Sequence, residues 1–210
     1  MAGPDGPIPE RVALRPLANP LPVGFLALAV VSTTYAGVQL GWLPTSQSRI
    51  AAYVALGLAA PLQLVAAVMG FWGRDPVAAT GLSLQSGLWA LAGVVTLATP
   101  PGSTVAAFGL VHVCLGLALL VPAANATGKR VAMAVFATTA TRCFLLAAYE
   151  LGAGPGWQTT AGIVGLFLGA LAWYAALAFE LEATHGRAVL PVGRPAPVTP
   201  QGQPGVRARL

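Results

Sequence analysis

Charged residues make up only 8% of this chain, against about 25% in soluble domains. With 56% of residues hydrophobic, the polar complement is too small to cover a water-facing surface, so a soluble core of this length is excluded. The formal charge of +5 forms neither a basic stripe nor an aromatic-interleaved patch, which removes nucleic acid as a partner. Cysteine is scarce too. Cys114 and Cys143 lie inside long apolar runs, where they read as small packing residues and imply no disulfide. His112 and Cys114 are two apart on a helix and point to nearly opposite faces, which argues against a metal chelate. No HExxH, GxSxG, P-loop or complete GxGxxG pattern occurs. No catalytic set, cofactor or metal is therefore expected, and the chain does not read as an enzyme.

What fills the chain instead is six apolar runs, at 21–42, 50–72, 77–98, 104–124, 129–151 and 157–180. Each is long enough to cross a hydrocarbon core of about 30 Å at 1.5 Å per residue. The predicted fold is an all-α integral membrane protein, a bundle of six transmembrane helices. The connectors carry Pro, Gly, Ser and Asn and make tight antiparallel turns, so the bundle is one unit. Arg11 and Arg15 precede the first run in the manner of a signal peptide, but the run is longer than a signal core and lacks a clear small-x-small site, so it is kept as a span.

Basic residues set the expected orientation. With the N-terminus inside, Arg11, Arg15, Arg74, Lys129, Arg130, Arg187, Arg194, Arg207 and Arg209 all fall on the cytoplasmic side and only Arg49 lies outside. That bias predicts cytoplasmic termini. The tail is rich in Pro, Gly and Arg and is expected to be disordered beyond Gly193. Trp42, Trp72 and Trp157 fall near predicted interfaces as belt anchors. Gly162, Gly165 and Gly169 give the sixth span a small-residue face for close helix contact, within the chain or between protomers.

Two motifs flank the bundle. Asn19-Pro20-Leu21-Pro22-Val23-Gly24-Phe25 opens it, with Asn19 able to cap a helix whose first turn needs no amide from Pro20 or Pro22. Gly186-Arg187-Ala188-Val189-Leu190-Pro191-Val192-Gly193 closes it. Between them lie Gln63, Trp89, the Gly128-Lys129-Arg130-Val131 turn and Glu180. In this order the chain resembles the acetate uptake transporter family, the SatP/YaaH group of acetate and succinate permeases, from Ala18 to about Gly193. The resemblance implies a six-helix protomer with a central anion pathway, assembled as a ring of six, carrying small monocarboxylates and succinate, with protons as the candidate coupling ion. It also implies a narrow layer of bulky apolar side chains at Leu28, Gln85 and Thr139, of which only Leu28 keeps that character. The acidic residue often found near the end of the family's second span is replaced by Gly70, and its Gly-Asn-Thr turn reads Arg74-Asp75-Pro76.

The polar residues inside the spans are the candidate site. Leu28, Gln63, Gln85 and Thr139 lie roughly 10 to 14 Å from the inner ends of their helices, in one layer, and the three polar ones either meet a carboxylate or bond helix to helix. Arg142 lies about 13 Å from the outer end of its span, too deep to snorkel easily. It reads either as an interhelical clamp or as an attractor of anions. His112 reaches about 12 Å and either bonds between helices or lines the pathway, where its titration would serve proton coupling. Thr138, Arg142 and Tyr149 share a helix face, the expected pathway stripe.

The chain thus divides into an N-terminal cytoplasmic segment (1–18), a six-helix transporter domain (19–182) and a cytoplasmic tail (183–210). The expected function is a conduit for small carboxylates in a prokaryotic plasma membrane, with lipid and further copies of the chain as partners. The competing reading is a non-transporting membrane sensor or scaffold, which a bundle plugged by apolar packing would favour.

Overall fold

The computed structural model describes residues 18–193. Six helical spans in it are long and apolar enough to cross a membrane. They comprise α1 (Leu21–Gln39), a second span assembled from a 3-10 turn (Thr45–Gln47), α2 (Ser48–Val54), a π-helical stretch (Ala55–Ala59) and α3 (Ala60–Trp72), then α4 (Pro76–Ala98), α5 (Ala106–Asn125), α6 (Arg130–Glu150) and α7 (Pro155–His185). Consecutive spans pack side by side and α7 returns to α1, closing a six-membered ring. The two ends of the described bundle lie on one face, called here the terminal face; the other is the distal face. Arg11, Arg15, Arg194, Arg207 and Arg209, and the disorder expected beyond Gly193, lie outside the described residues.

Local chemistry sets the helix ends. Asn19 Oδ1 accepts the Leu21 amide at 3.1 Å, a local turn at the entrance of α1, while the N-cap position itself falls to Pro20, which has no capping side chain. Gly41, at φ 73°, stops this chain segment short of Trp42, and α1 ends at Gln39. At the other end α7 runs five residues beyond the expected limit of 180, to His185, where Gly186 at φ 64° supplies the left-handed stop. The helix therefore passes the expected domain boundary at 182. Beyond it the chain folds back: Tyr174 donates to the Pro191 carbonyl at 2.8 Å, Val131 donates its amide to the Val192 carbonyl at 3.3 Å, and Val192 is buried.

The π stretch was not legible beforehand. Pro61 follows it and has no amide to give back to the preceding turn, so the helix widens there and resumes as α3. Ser86 on α4 donates to the Ala60 carbonyl at 2.8 Å at this joint.

Two positions on the terminal face have structural roles. Asp75 caps α4 through the Ala78 amide at 3.1 Å and forms an ion pair with Lys129, tying the α3–α4 turn to the α5–α6 turn. At Gly70 an added Cβ would lie 2.7 Å from the Ala79 backbone nitrogen, so α3 and α4 touch here. Gly162, Gly165 and Gly169 face α1, where added Cβ atoms would meet Gln39, Leu40, Ala36 and Thr33. The small-residue stripe is thus used within the chain. Apolar side chains such as Leu64, Phe71, Leu110, Leu117, Phe167 and Trp173 cover the outside, as a lipid-facing surface requires.

Gly70→Ala should destabilise the protein by about 1 to 3 kcal/mol, because backbone opposes the new methyl and cannot swing away. Gly87→Ala, with open space around it, should be neutral or slightly stabilising. Thermal unfolding in detergent distinguishes them: equal melting temperatures for both variants would refute the close α3–α4 contact.

Candidate functional site

Arg142 is the centre around which the interior is organised. It projects from α6 and is 3% exposed. Its Nε donates to the Ala161 carbonyl at 3.3 Å, Nη1 to Ser32 Oγ at 3.4 Å and Nη2 to Gln39 Oε1 at 2.9 Å. Ser32 spends its own proton on the Gly165 carbonyl at 2.8 Å, which leaves its lone pairs for the guanidinium. Small residues create this room: a Cβ on Gly165 would stand 3.0 Å from Arg142 Nε. The guanidinium carbon lies 5.4 Å from the Trp89 ring centroid, within cation–π range.

All these partners are neutral. Among the described residues no carboxylate forms an ion pair with Arg142; the Asp75–Lys129 pair lies apart from it on the terminal face. A guanidinium has five N–H groups and three are accounted for by protein acceptors. The remaining two, one on each Nη, have no acceptor among the described residues. Arg142 also lines a cavity of about 130 Å³, so the buried charge borders an internal space.

The cavity opens toward the distal face, between Thr45 and Ser48, the Thr99–Val105 connector, Tyr149, Glu150 and Gln158, and descends to Arg142, His112 and Thr139. From Glu150 to Thr139 the descent is about 16 Å at 1.5 Å per residue. The connector is tied across the mouth. Glu150 Oε2 accepts the Val105 amide at 2.6 Å, and Tyr149 donates its hydroxyl to the Gly102 carbonyl at 3.3 Å.

His112 does not bond between helices. Its Nδ1 lies 3.0 Å from the carbonyl of Phe108 on its own helix, and the two rings stack edge to face at 4.2 Å between centroids. Since a carbonyl only accepts, Nδ1 carries the proton, and in the neutral ring Nε2 is left as an acceptor. The pathway stripe also shifts by one residue. Thr139, Arg142, Leu146 and Tyr149 line the cavity while Thr138 does not.

Below the cavity lies a second layer. Gln63 and Gln85 are wholly buried and Thr139 is 1% exposed. Gln63 Nε2 donates to the Gly24 carbonyl at 3.3 Å and to Gln85 Oε1 at 3.1 Å. Gln85 Nε2 donates to Thr139 Oγ1 at 3.1 Å, and Thr139 donates to the Val135 carbonyl at 2.8 Å. Gly24 earns its place in the opening motif twice: its carbonyl anchors this chain, and a Cβ there would strike Leu82 at 2.7 Å. Gln63 and Gln85 do not line the cavity, and Leu28, fully buried in the apolar core, does not either. Thr139 alone belongs to both the cavity wall and the amide chain.

Nearer the terminal face stands an aromatic cluster the sequence reading missed. Phe25 meets Phe136 at 5.9 Å and Phe179 at 6.2 Å between centroids, all three fully buried. Its signal was available as one phenylalanine within two turns of the terminal end of each of three spans. Ser32 and Gln39, the Arg142 partners on α1, were equally visible as polar residues in an apolar run.

No family model matches the chain, and no curated protein does so by sequence. The fold is similar to that of a solved bacterial acetate channel, SatP. The TM-score is 0.75 at 23% sequence identity, with 85% of this chain and 100% of that chain covered. The likeness shows the six-helix fold.

The two layers make a geometric prediction that needs no substrate. With Cys114 and Cys143 replaced by alanine, Gln158→Cys should react with a membrane-impermeant thiol reagent added on the distal side, and Gln63→Cys should react from neither side. Labelling of Gln63→Cys at a comparable rate would mean the buried layer is open to water.

Proposed function

We propose that this protein is a membrane conduit for small carboxylate anions, acetate-like monocarboxylates and succinate. One observation carries the reading: Arg142 borders a cavity open to one face while no carboxylate among the described residues forms an ion pair with it. A cation held inside an apolar bundle costs about 2.5 to 3.5 kcal/mol on insertion scales. An anion entering the cavity offsets that cost, and the planar fork with spare N–H groups suits a carboxylate. A cavity of about 130 Å³ suits a solute of a few heavy atoms, given about 30 Å³ of liquid per water. The fold likeness to an acetate channel supports the same reading.

The proposal includes proton coupling through His112, whose free Nε2 lone pair is a proton acceptor at the cavity wall. It also includes cytoplasmic termini in a prokaryotic plasma membrane, supported by the arginine distribution, and a ring of six protomers, supported by the family resemblance. In this reading the protein has no catalytic role.

A second reading, a ligand-binding membrane sensor that does not conduct, draws on a specific feature. The cavity stops at Thr139, and the amide layer and the Phe25–Phe136–Phe179 cluster close the terminal side. Uptake of labelled acetate into liposomes, beside succinate, lactate and formate, separates the two. Conduction predicts carboxylate flux above empty liposomes; saturable binding with no flux supports the sensor.

Arg142→Gln should assemble normally and carry acetate at least about tenfold more slowly at limiting concentration, since a charge-assisted hydrogen bond is lost. Arg142→Lys should recover only part of this, because a point charge lacks the fork. Wild-type flux in Arg142→Gln, or failure of that variant to assemble, would make the residue a structural clamp. Gln85→Tyr or Thr139→Leu, adding apolar bulk below the cavity, should reduce flux or narrow substrate choice; unchanged rates for every substrate would place the narrow point elsewhere.

A further inference from the structure

The Gln63–Gln85–Thr139 chain has a fixed polarity with a chemical consequence. The Gly24 and Val135 carbonyls at its two ends only accept. The Gln63 atom bonded to Gly24 must therefore be nitrogen, the Gln85 atom facing it oxygen, and the Gln85 nitrogen must point to Thr139. Both N–H groups of Gln63 are spent. Its Oε1 is buried with no hydrogen-bond partner among the described residues.

Thr139 is both the cavity wall and the acceptor of Gln85, and on the conduit reading the solute leaves the cavity toward the terminal face by parting the Gln85–Thr139 bond. A carboxylate has acceptors only. It replaces Thr139 as the partner of the Gln85 N–H, yet it has nothing to give the Gln63 oxygen, or the Gln85 oxygen once that amide moves. An alkyl tail leaves both wanting a donor in a dry layer. A hydroxyl on the carbon beside the carboxylate supplies that donor, a few ångströms from the acceptor oxygens.

We infer that the amide layer selects short carboxylates bearing a hydroxyl next to the carboxyl group over alkyl carboxylates of the same size. This rests on the conduit reading and narrows it. A layer built to hydrogen-bond a substrate hydroxyl discriminates strongly against the analogue lacking it, whereas an apolar layer gains little selectivity from one group. Gln85 and Gln63 are the specificity-determining residues.

Glycolate and propionate are the test pair, because they differ by a hydroxyl in place of a methyl. Uptake of each labelled anion is measured in liposomes holding the full chain, with acetate alongside and protein-free liposomes subtracted. At neutral pH and equal concentration, glycolate should enter faster than propionate by on the order of tenfold. Gln85→Leu should bring the ratio to one or below, and Thr139→Val, which keeps the shape of the side chain, should lower it. Propionic acid is the weaker acid, so a route for the undissociated acid predicts the opposite preference.

Acetate flux with a glycolate-to-propionate ratio at or below one in the wild type overturns this inference and leaves the conduit standing. No flux for any of the three overturns the conduit and the inference together. If Gln85→Leu assembles and keeps the wild-type ratio, the assignment to Gln85 is wrong. Should that variant fail to assemble, the wild-type ratio and Thr139→Val decide the matter by themselves.

Discussion

An arginine held inside a membrane bundle, with no carboxylate ion-paired to it among the described residues, is the constraint on which the rest of this structure depends. Arg142 is almost wholly buried, and its protein partners are a backbone carbonyl, a hydroxyl and an amide oxygen. Neutral acceptors orient the guanidinium and satisfy part of its hydrogen-bonding capacity; they leave its charge in place. A paired acid would have turned the site into a closed structural bridge. Its absence leaves a fixed positive charge at the bottom of a cavity that one face of the membrane reaches.

The packing follows from that requirement. α1 and α7 meet through Gly162, Gly165 and Gly169, and the same close contact brings Ser32, Gln39 and the Ala161 carbonyl to the guanidinium. Trp89 from α4 supplies an aromatic face to the cation, and Tyr35 packs on that indole at 5.5 Å. Beneath this lie the amide layer and then the three phenylalanines. Passing from the distal to the terminal side, the interior changes from cationic to neutral polar to apolar, three environments with different demands on a solute.

Much of the bundle was legible because its signals are local. Apolar runs fixed the six spans, and Pro76, Pro155 and the turn glycines fixed most of their ends to within a few residues. Other features are set only in three dimensions. Gly41 and Gly186 terminate helices through left-handed backbone, which composition does not reveal. The π stretch before Pro61 depends on how one missing amide is accommodated. Arg142 and His112 could be picked out as costly residues at depth, but His112 bonding to its own helix could not. Thr139 and Thr138 are adjacent in sequence, and only helix rotation decides which of them lines the cavity. The depth estimate did place Gln63, Gln85 and Thr139 in one layer, while their joining into a single directed chain required the backbone carbonyls of Gly24 and Val135.

The central claim is that Arg142 is a carboxylate site, and a bound anion tests it without reference to rate. (Methylseleno)acetate, which does not alkylate thiols or imidazoles, soaked into crystals of the full chain places a carboxylate and an anomalously scattering selenium in one small solute. A selenium peak is expected in the cavity between Arg142 and His112, with carboxylate density within hydrogen-bond distance of the Arg142 Nη atoms, absent in Arg142→Gln. A cavity without selenium, or a peak that persists unchanged in that variant, would contradict it.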